Sequence, residues 1–351
     1  MRITITDIAV CDPPFSCTQR ELLAHVLREP GLSKREQYLY RTFLTDPGIG
    51  NRNFAVKGLD GLLSDDLREQ KKRFEETAPA LAAGALSGVL SRSRILPGEL
   101  DWLSTATCTG YLCPGLSSYI IGNAGLRTDI CAEDITGMGC GAALPCLRSA
   151  SLFLNSRGSW AAAVCAEICS ADMVREDDPE IILSNCLFGD GAAACLLTNR
   201  KDARGSELID IASLTFPEYR EKLRFRDDNG RLRNVIKTDV PGLAAEFVAA
   251  AVDGMLKRHS IDRSQVDRWA FHPGGRKILD SIKQVMGLRE KDMRFSRAVL
   301  KRYGNMSSPS ILYVLKSVLE EKSRKPSTVV AASFGAGFGV HACLLRKDPD
   351  A

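Results

Sequence analysis

The sequence contains no apolar run of the roughly 18–20 residues that a membrane-spanning helix needs, which argues against a bilayer protein. It also lacks any block of one charge sign. Its 47 basic residues face 43 acidic ones, a net +4, and the charged stretch "EQKKRFEE" (69–76) mixes both signs as a solvated helix face does. A nucleic-acid surface built on charge is therefore not expected. Histidine is scarce: only His25, His259, His272 and His341 can supply imidazole chemistry. Twelve cysteines are present, but none shows the paired Cys-x-x-Cys or Cys/His spacing of a zinc site, so no metal is expected. Most lie in apolar runs such as "AAVCAEICSA" and "GAAACLLT", where they read as reduced, buried thiols of a cytoplasmic protein. The opening "MRITITDIAV" alternates like a strand and lacks the apolar core of a signal peptide. No low-complexity linker divides the 351 residues.

Short β-rich runs alternate with helical stretches. Strands are expected at 102–107, 160–167, 191–198, 267–272, 327–334 and 339–346, and helices near 65–88, 141–156, 242–259, 275–286 and 307–322. That alternation predicts a layered α/β fold. A weak internal repeat runs through it. "FGDGAAACLLTNR" (188–200) and "FGAGFGVHACLLRKD" (334–348) are both a Gly-rich turn feeding a strand that ends in "ACLL". Upstream of each lies a loop entering a helix, "GMGCGAALPCLRSA" in the first half and "YGNMSSPSILYVLKSV" in the second. Two fused copies of one unit, 1–205 and 206–351, would explain this and would bring both helix starts to a shared axis.

The first helix start carries Cys140 between two glycines, where a thiol is open to an approaching acyl carbonyl. Free N–H groups and the helix dipole there favour an anion, so a readily ionised thiol is expected. A buried structural cysteine is the competing reading. His272 ends the run "RWAF" before "PGG", at a sheet edge where sites of α/β folds collect. His25 and His259 sit in polar helical stretches and should be solvated, while His341, mid-strand, should be a core residue. Asn305, in a Gly-Asn turn ahead of the second helix, reads by itself as an N-cap.

Four blocks, "GMGCGAAL", "LFGDGAAA", "WAFHPGGRKIL" and "YGNMSSPSILYVL", occur in the order and at the spacing of the chalcone synthase-like type III polyketide synthases. The chain resembles that family over nearly its whole length, and "TATCTGYLCPGL" (105–116) resembles its bacterial members. The resemblance implies a duplicated, thiolase-like five-layer αβαβα fold. It implies Cys140 as acyl-accepting nucleophile with His272 and Asn305 as partners. The reaction would be decarboxylative condensation of malonyl-CoA onto an acyl-CoA starter, by a homodimer needing no metal or redox cofactor. Phe188 matches the aromatic gatekeeper, and Cys108, Thr109, Cys169, Asp172, Phe225, Asn234 and Ser307 would line the cavity. Cys113 falls where the family sends a residue into its neighbour's cavity.

The chain also departs from the pattern. Asn234 replaces a second gatekeeper Phe, Phe225 replaces a cavity glycine, and "SFGAGFG" (333–339) lacks the family's proline. No cationic cluster matches the coenzyme A site near 38–46, which leaves Arg41, Arg52 and Lys277 as substitutes and a carrier-protein donor as an option. An initiating β-ketoacyl-carrier-protein synthase also uses Cys-His-Asn, but follows its His with Gln-Ala-Asn rather than "PGG". A catalytically idle acyl-binding protein of the same fold is the remaining alternative.

Overall fold

The computed structural model describes residues 2–349. Among them the strands are β1 (Ile3–Cys11), β2 (Phe15–Thr18), β3 (Asn51–Phe54), β4 (Trp102–Ala106), β5 (Cys131–Ile135), β6 (Trp160–Glu167), β7 (Gly191–Thr198), β8 (Ser206–Thr215), β9 (Leu223–Asp228), β10 (Arg231–Ile236), β11 (Arg268–Phe271), β12 (Ser327–Gly335) and β13 (Gly339–Lys347). The helices are α1 (Gln19–Val26), α2 (Lys34–Leu44), α3 (Leu67–Ser93), α4 (Leu116–Asn123), α5 (Ala143–Ser156), α6 (Pro179–Leu187), α7 (Val240–Arg258), α8 (Arg276–Met286), α9 (Arg294–Tyr303) and α10 (Ser310–Glu320). Every strand and helix expected from the sequence is present, with shifted ends. The sequence reading missed β5, β8, the antiparallel pair β2–β3, the hairpin β9–β10, and helices α1, α2, α4, α6 and α9.

Nine strands join one sheet in the order β11-β12-β13-β8-β1-β7-β6-β4-β5. Outward from the β1–β8 seam the two arms repeat one pattern. β1–β7 and β7–β6 are antiparallel and β6–β4 parallel; β8–β13 and β13–β12 are antiparallel and β12–β11 parallel. The register repeats too. Cys195 lies opposite Ile8 and Ala163, and Cys343 lies opposite Ile211 and Ala331. The shared "ACLL" is thus the trace of a duplicated structural unit. The second arm lacks a counterpart of β5, and α9 occupies that stretch of chain instead.

Helices cover both faces of each arm. α5 and α10 form a central layer with Ala161, Ala163 and Cys165 of one arm and Val329, Ala331 and Cys343 of the other. α3 covers the outer face of the first arm over Ala162, Val164 and Leu196. α7 and α8 cover the second over Val330, Ala342 and Leu344. The layers are therefore αβαβα. Because both faces are covered, β6 and β7 are buried along all eight residues and show no alternation. Their alanines also let the central helices approach closely.

Candidate active site

The central layer brings the two helix starts together. Cys140 occupies the 3-10 turn Gly139–Gly141 that leads into α5. The end of β12 presses against this turn: a Cβ on Gly335 would lie 2.2 Å from the Met138 carbonyl oxygen and 2.5 Å from the Gly141 nitrogen. Only glycine fits there. The same strand end holds His272, which follows β11. Its backbone N–H donates to the Ala332 carbonyl (2.9 Å), and its ring meets Phe334 edge-on with centroids 5.3 Å apart. Asn305 stands in the turn before α10. Its N–H donates to the Leu187 carbonyl (3.0 Å) and its carbonyl accepts from Gly189 N–H (2.9 Å), which locks it beside Phe188.

Asn305 Oδ1 accepts from Ser307 N–H at 2.8 Å, so the free end of the amide is the Nδ2 donor, and it faces the Cys140 sulfur closely enough to favour a thiolate there. Ser307 adopts a left-handed backbone (φ 56°), a strained conformation for a serine. That conformation aims its hydroxyl at two sulfurs, Cys140 and Cys108, the latter at 3.2 Å.

Beneath them lies Glu167, the last residue of β6, fully buried. One oxygen takes Cys108 N–H (2.9 Å), Thr109 N–H (3.1 Å) and Thr109 Oγ1–H (2.9 Å). The other takes Cys108 Sγ–H (3.2 Å) and the Ser308 hydroxyl. These donors satisfy a carboxyl group that burial has taken out of water.

Burial dominates the protonation of the reacting groups. It pushes the Cys140 thiol up to about 12; the Ser307 and Asn305 hydrogen bonds pull the other way without overcoming it, and Glu167 adds repulsion. The expectation of a readily ionised thiol is thereby corrected, because removal from water costs the anion more than the helix start returns. Cys140 keeps some accessible surface all the same, as an acyl acceptor must. Burial also holds His272 down at about 3, and neither ring nitrogen has a hydrogen-bond partner among the described residues. The imidazole is neutral and free to take or give a proton.

Next to this chamber is a small cavity of about 30 Å³ bordered by Thr109, Cys169, Asp172, Phe188, Phe225 and Asn234. Six of the nine residues expected to bind substrate thus share one space, and Cys108 and Ser307 adjoin it through the sulfur contacts. Phe225 and Asn234 are directly opposed across the β9–β10 hairpin. Cys113 is exposed, in the loop with Tyr111, which is 82% exposed. Of the proposed coenzyme A contacts, Arg41 on α2 and Lys277 in the first turn of α8 are exposed. Arg52 is not available for that role. It is fully buried, and its guanidinium donates to Gln19 Oε1 (2.9 Å) and to the carbonyls of Asn185 (2.7 Å) and Phe188 (2.5 Å). It therefore fixes the gatekeeper's backbone and cannot reach a phosphate. His341 is a core residue bonded to Ser213 (2.8 Å), and His259 pairs with Asp210. His25 is more covered than its polar surroundings suggested, with a side chain 13% exposed beside Glu29 and Asp60.

Glu167 and Asp190 were missed from the sequence. A carboxylate closing the otherwise apolar strand "WAAAVCAE" was the available signal for Glu167. Asp190 accepts from Ser170 N–H and Oγ–H and from Ala55 N–H, yet burial still raises its carboxyl to about 6.

Comparison with known proteins agrees with this geometry. The chain belongs to the family of FAE1/type III polyketide synthase-like proteins, whose profile matches residues 10–214, and the chalcone and stilbene synthase C-terminal domain matches residues 214–348. It is thus a type III polyketide synthase, an acyltransferase, and not an initiating ketoacyl-carrier-protein synthase. It is 29% identical over 322 residues to the 3,5-dihydroxyphenylacetyl-CoA synthase of Streptomyces toyocaensis, spanning 87% of this chain and 82% of that one. It is 28% identical over 340 residues to an alpha-pyrone synthesis polyketide synthase-like protein of Mycobacterium tuberculosis, spanning 92% and 85%. Among solved structures, PKS-I of the brown alga Ectocarpus siliculosus superposes with a TM-score of 0.89 at 27% identity, over 99% of this chain and 98% of that one. The 1,3,6,8-tetrahydroxynaphthalene synthase of Streptomyces coelicolor A3(2) shares the fold, with a TM-score of 0.91 at 23% identity over 99% and 100%.

Proposed function

We propose that this enzyme condenses malonyl-CoA units onto an acyl starter held on Cys140 and releases a short, cyclised polyketide. Cys140 Sγ attacks the starter thioester while its proton passes through His272 to the departing sulfur, leaving an acyl-enzyme and a free thiol. Malonyl-CoA then loses carbon dioxide. The resulting enolate oxygen is held by the imidazole N–H of His272 and the Nδ2–H of Asn305. Its carbon attacks the Cys140 thioester, the C–S bond breaks, and the chain leaves on coenzyme A two carbons longer. Every step is redox-neutral, so no electron carrier enters.

The observation that supports this reading is an amide, oriented by Ser307 N–H, whose donor end faces the Cys140 sulfur in a buried chamber that also holds a neutral imidazole with no hydrogen-bond partner among the described residues. Phe188 and the cavity residues would shape the growing chain. Arg41 and Lys277 would meet the coenzyme A phosphates, with an acyl carrier protein as the other donor. The whole chain, with its halves 1–205 and 206–351, would pair with a second copy as a cytoplasmic homodimer, Cys113 of each subunit reaching the other's cavity. The exposed Cys113 loop and β5, an edge strand with no outer partner among the described residues, suit that assembly.

Intact-protein mass and carbon dioxide release test the roles. An acyl adduct is expected on Cys140 both in the native enzyme and in Asn305→Ala, whereas malonyl decarboxylation should fall about 10²–10³-fold in the variant. Undiminished carbon dioxide release by Asn305→Ala would remove Asn305 from the mechanism.

A further inference from the structure

The cavity wall contains one group whose presence the condensation does not require. Asp172 ends the 3-10 turn Cys169–Asp172 that follows β6, and it borders the cavity with Phe188, Phe225 and Asn234. Its Oδ2 is closed off from solvent and has no hydrogen-bond partner among the described residues. A buried, unpartnered carboxyl oxygen is costly, and its retention calls for a ligand.

The charges around it decide which form it takes. Burial disfavours a carboxylate at this position, and Glu167 at the end of β6 and Asp190 in the turn before β7 add repulsion, so the Asp172 carboxyl is held well above the usual carboxylate range. The nearby cations are held elsewhere, although Arg52 Nη2 has no hydrogen-bond partner among the described residues. Arg73 of α3 donates to the Ser170 and Gly61 carbonyls, and Arg52 donates to Gln19, Asn185 and Phe188. The other titratable neighbours, Cys169 and Cys140, are also pushed up by burial and offer no positive charge.

We propose that Asp172 donates its carboxyl O–H to a carbonyl oxygen of the growing β-ketoacyl chain and so sets the chain's conformation in the cavity. The inference rests on the polyketide synthase reading above and deepens it. A β-ketoacyl chain carries an oxygen on every second carbon, and each ketone oxygen only accepts hydrogen bonds. An ionised aspartate would set acceptor against acceptor; a neutral acid supplies the missing donor in a space too small for much water. The same acidic surroundings define the substrate class. Neutral acyl starters and their ketide extensions fit, whereas starters with a free terminal carboxylate would bring a third negative charge beside Glu167 and Asp190.

Two variants and one spectrum test this. With malonyl-CoA and a neutral acyl-CoA starter, Asp172→Asn retains a donor and should keep the native product pattern at reduced turnover. Asp172→Ala, which lacks the donor and adds no bulk, should load Cys140 as the native enzyme does. It should then extend about tenfold more slowly, the worth of one hydrogen bond, and release shorter chains. Native products at native rate from Asp172→Ala would overturn the proposal, as would an Asn variant that fails in the same way as Ala. Infrared difference spectroscopy of native minus Asp172→Asn protein at pH 7 should show the C=O stretch of a protonated carboxylic acid. A carboxylate band in its place refutes the donor role without any substrate. Failure of the underlying reading looks different: native enzyme would then form no polyketide from any starter, whichever band the spectrum contained.

Discussion

The Cys140–His272 pair makes an unusual claim about pH. Burial holds the imidazole at about 3 and the thiol at about 12, so across the whole range between them the pair carries one proton. When His272 takes that proton, as proposed above, the reactive thiolate–imidazolium form is a constant fraction of the enzyme. Alkylation of Cys140 by iodoacetamide should therefore change by less than about twofold from pH 6 to pH 9. A free thiol in the same solution, with a pKa near 8.5, goes from about 0.3% to about 75% thiolate over that interval, a rise of roughly two-hundredfold. Removing the proton acceptor should separate the two cases. In His272→Ala the thiol must ionise into the buried chamber by itself, so labelling should fall and then climb tenfold per pH unit, as for any thiol far below its pKa. Peptide mapping by mass spectrometry, with free cysteine as internal control, gives both slopes. If Cys140 in the native protein already climbs tenfold per unit between pH 6 and 8, no imidazole shares its proton, and the assignment of His272 fails.

Two further outcomes follow from the geometry. Phe225→Gly removes a ring from the wall of a cavity of about 30 Å³, and overfilling a tight site costs about 1–3 kcal/mol, or some five- to hundredfold per extension, so the variant should make longer polyketides by product mass spectrometry. Equal chain lengths from an active variant would place Phe225 outside the growing chain's path. Gly335→Ala forces a Cβ to within 2.2 Å of the Met138 carbonyl, so both the urea midpoint and acyl loading of Cys140 should drop; unchanged values for both would show that the nucleophile turn does not depend on this contact.

Several missed elements had signals in the sequence. Thr18 with Glu21 and Ser33 with Glu36 form capping boxes that start α1 and α2, a pattern readable as T/S-x-x-E. The β9–β10 hairpin turns at Asn229-Gly230, both at positive φ, a recognised hairpin dipeptide obscured by the charges on either side. β5 is harder. "CAEDI" is half polar because it lies on the sheet edge, and nothing local marks a strand that pairs only with β4.

By itself the sequence determined what depends on residue type and order: the α/β layering, the duplication behind "ACLL", and the presence of one cysteine, one histidine and one amide at the starts and ends of the right elements. Arg52 shows where that reading stops, since an arginine in a polar stretch looks like a phosphate ligand until the fold buries it against three oxygen acceptors. Protonation states stop in the same place. The helix-start argument predicts an ionised Cys140, and ordinary values predict an ionised Asp172, yet burial reverses both. Desolvation and repulsion come from groups far away in the chain, Glu167 and Asp190 among them. Only the tertiary structure decides how much water is left beside a charge, and that fixes which of these groups donates a proton and which accepts one.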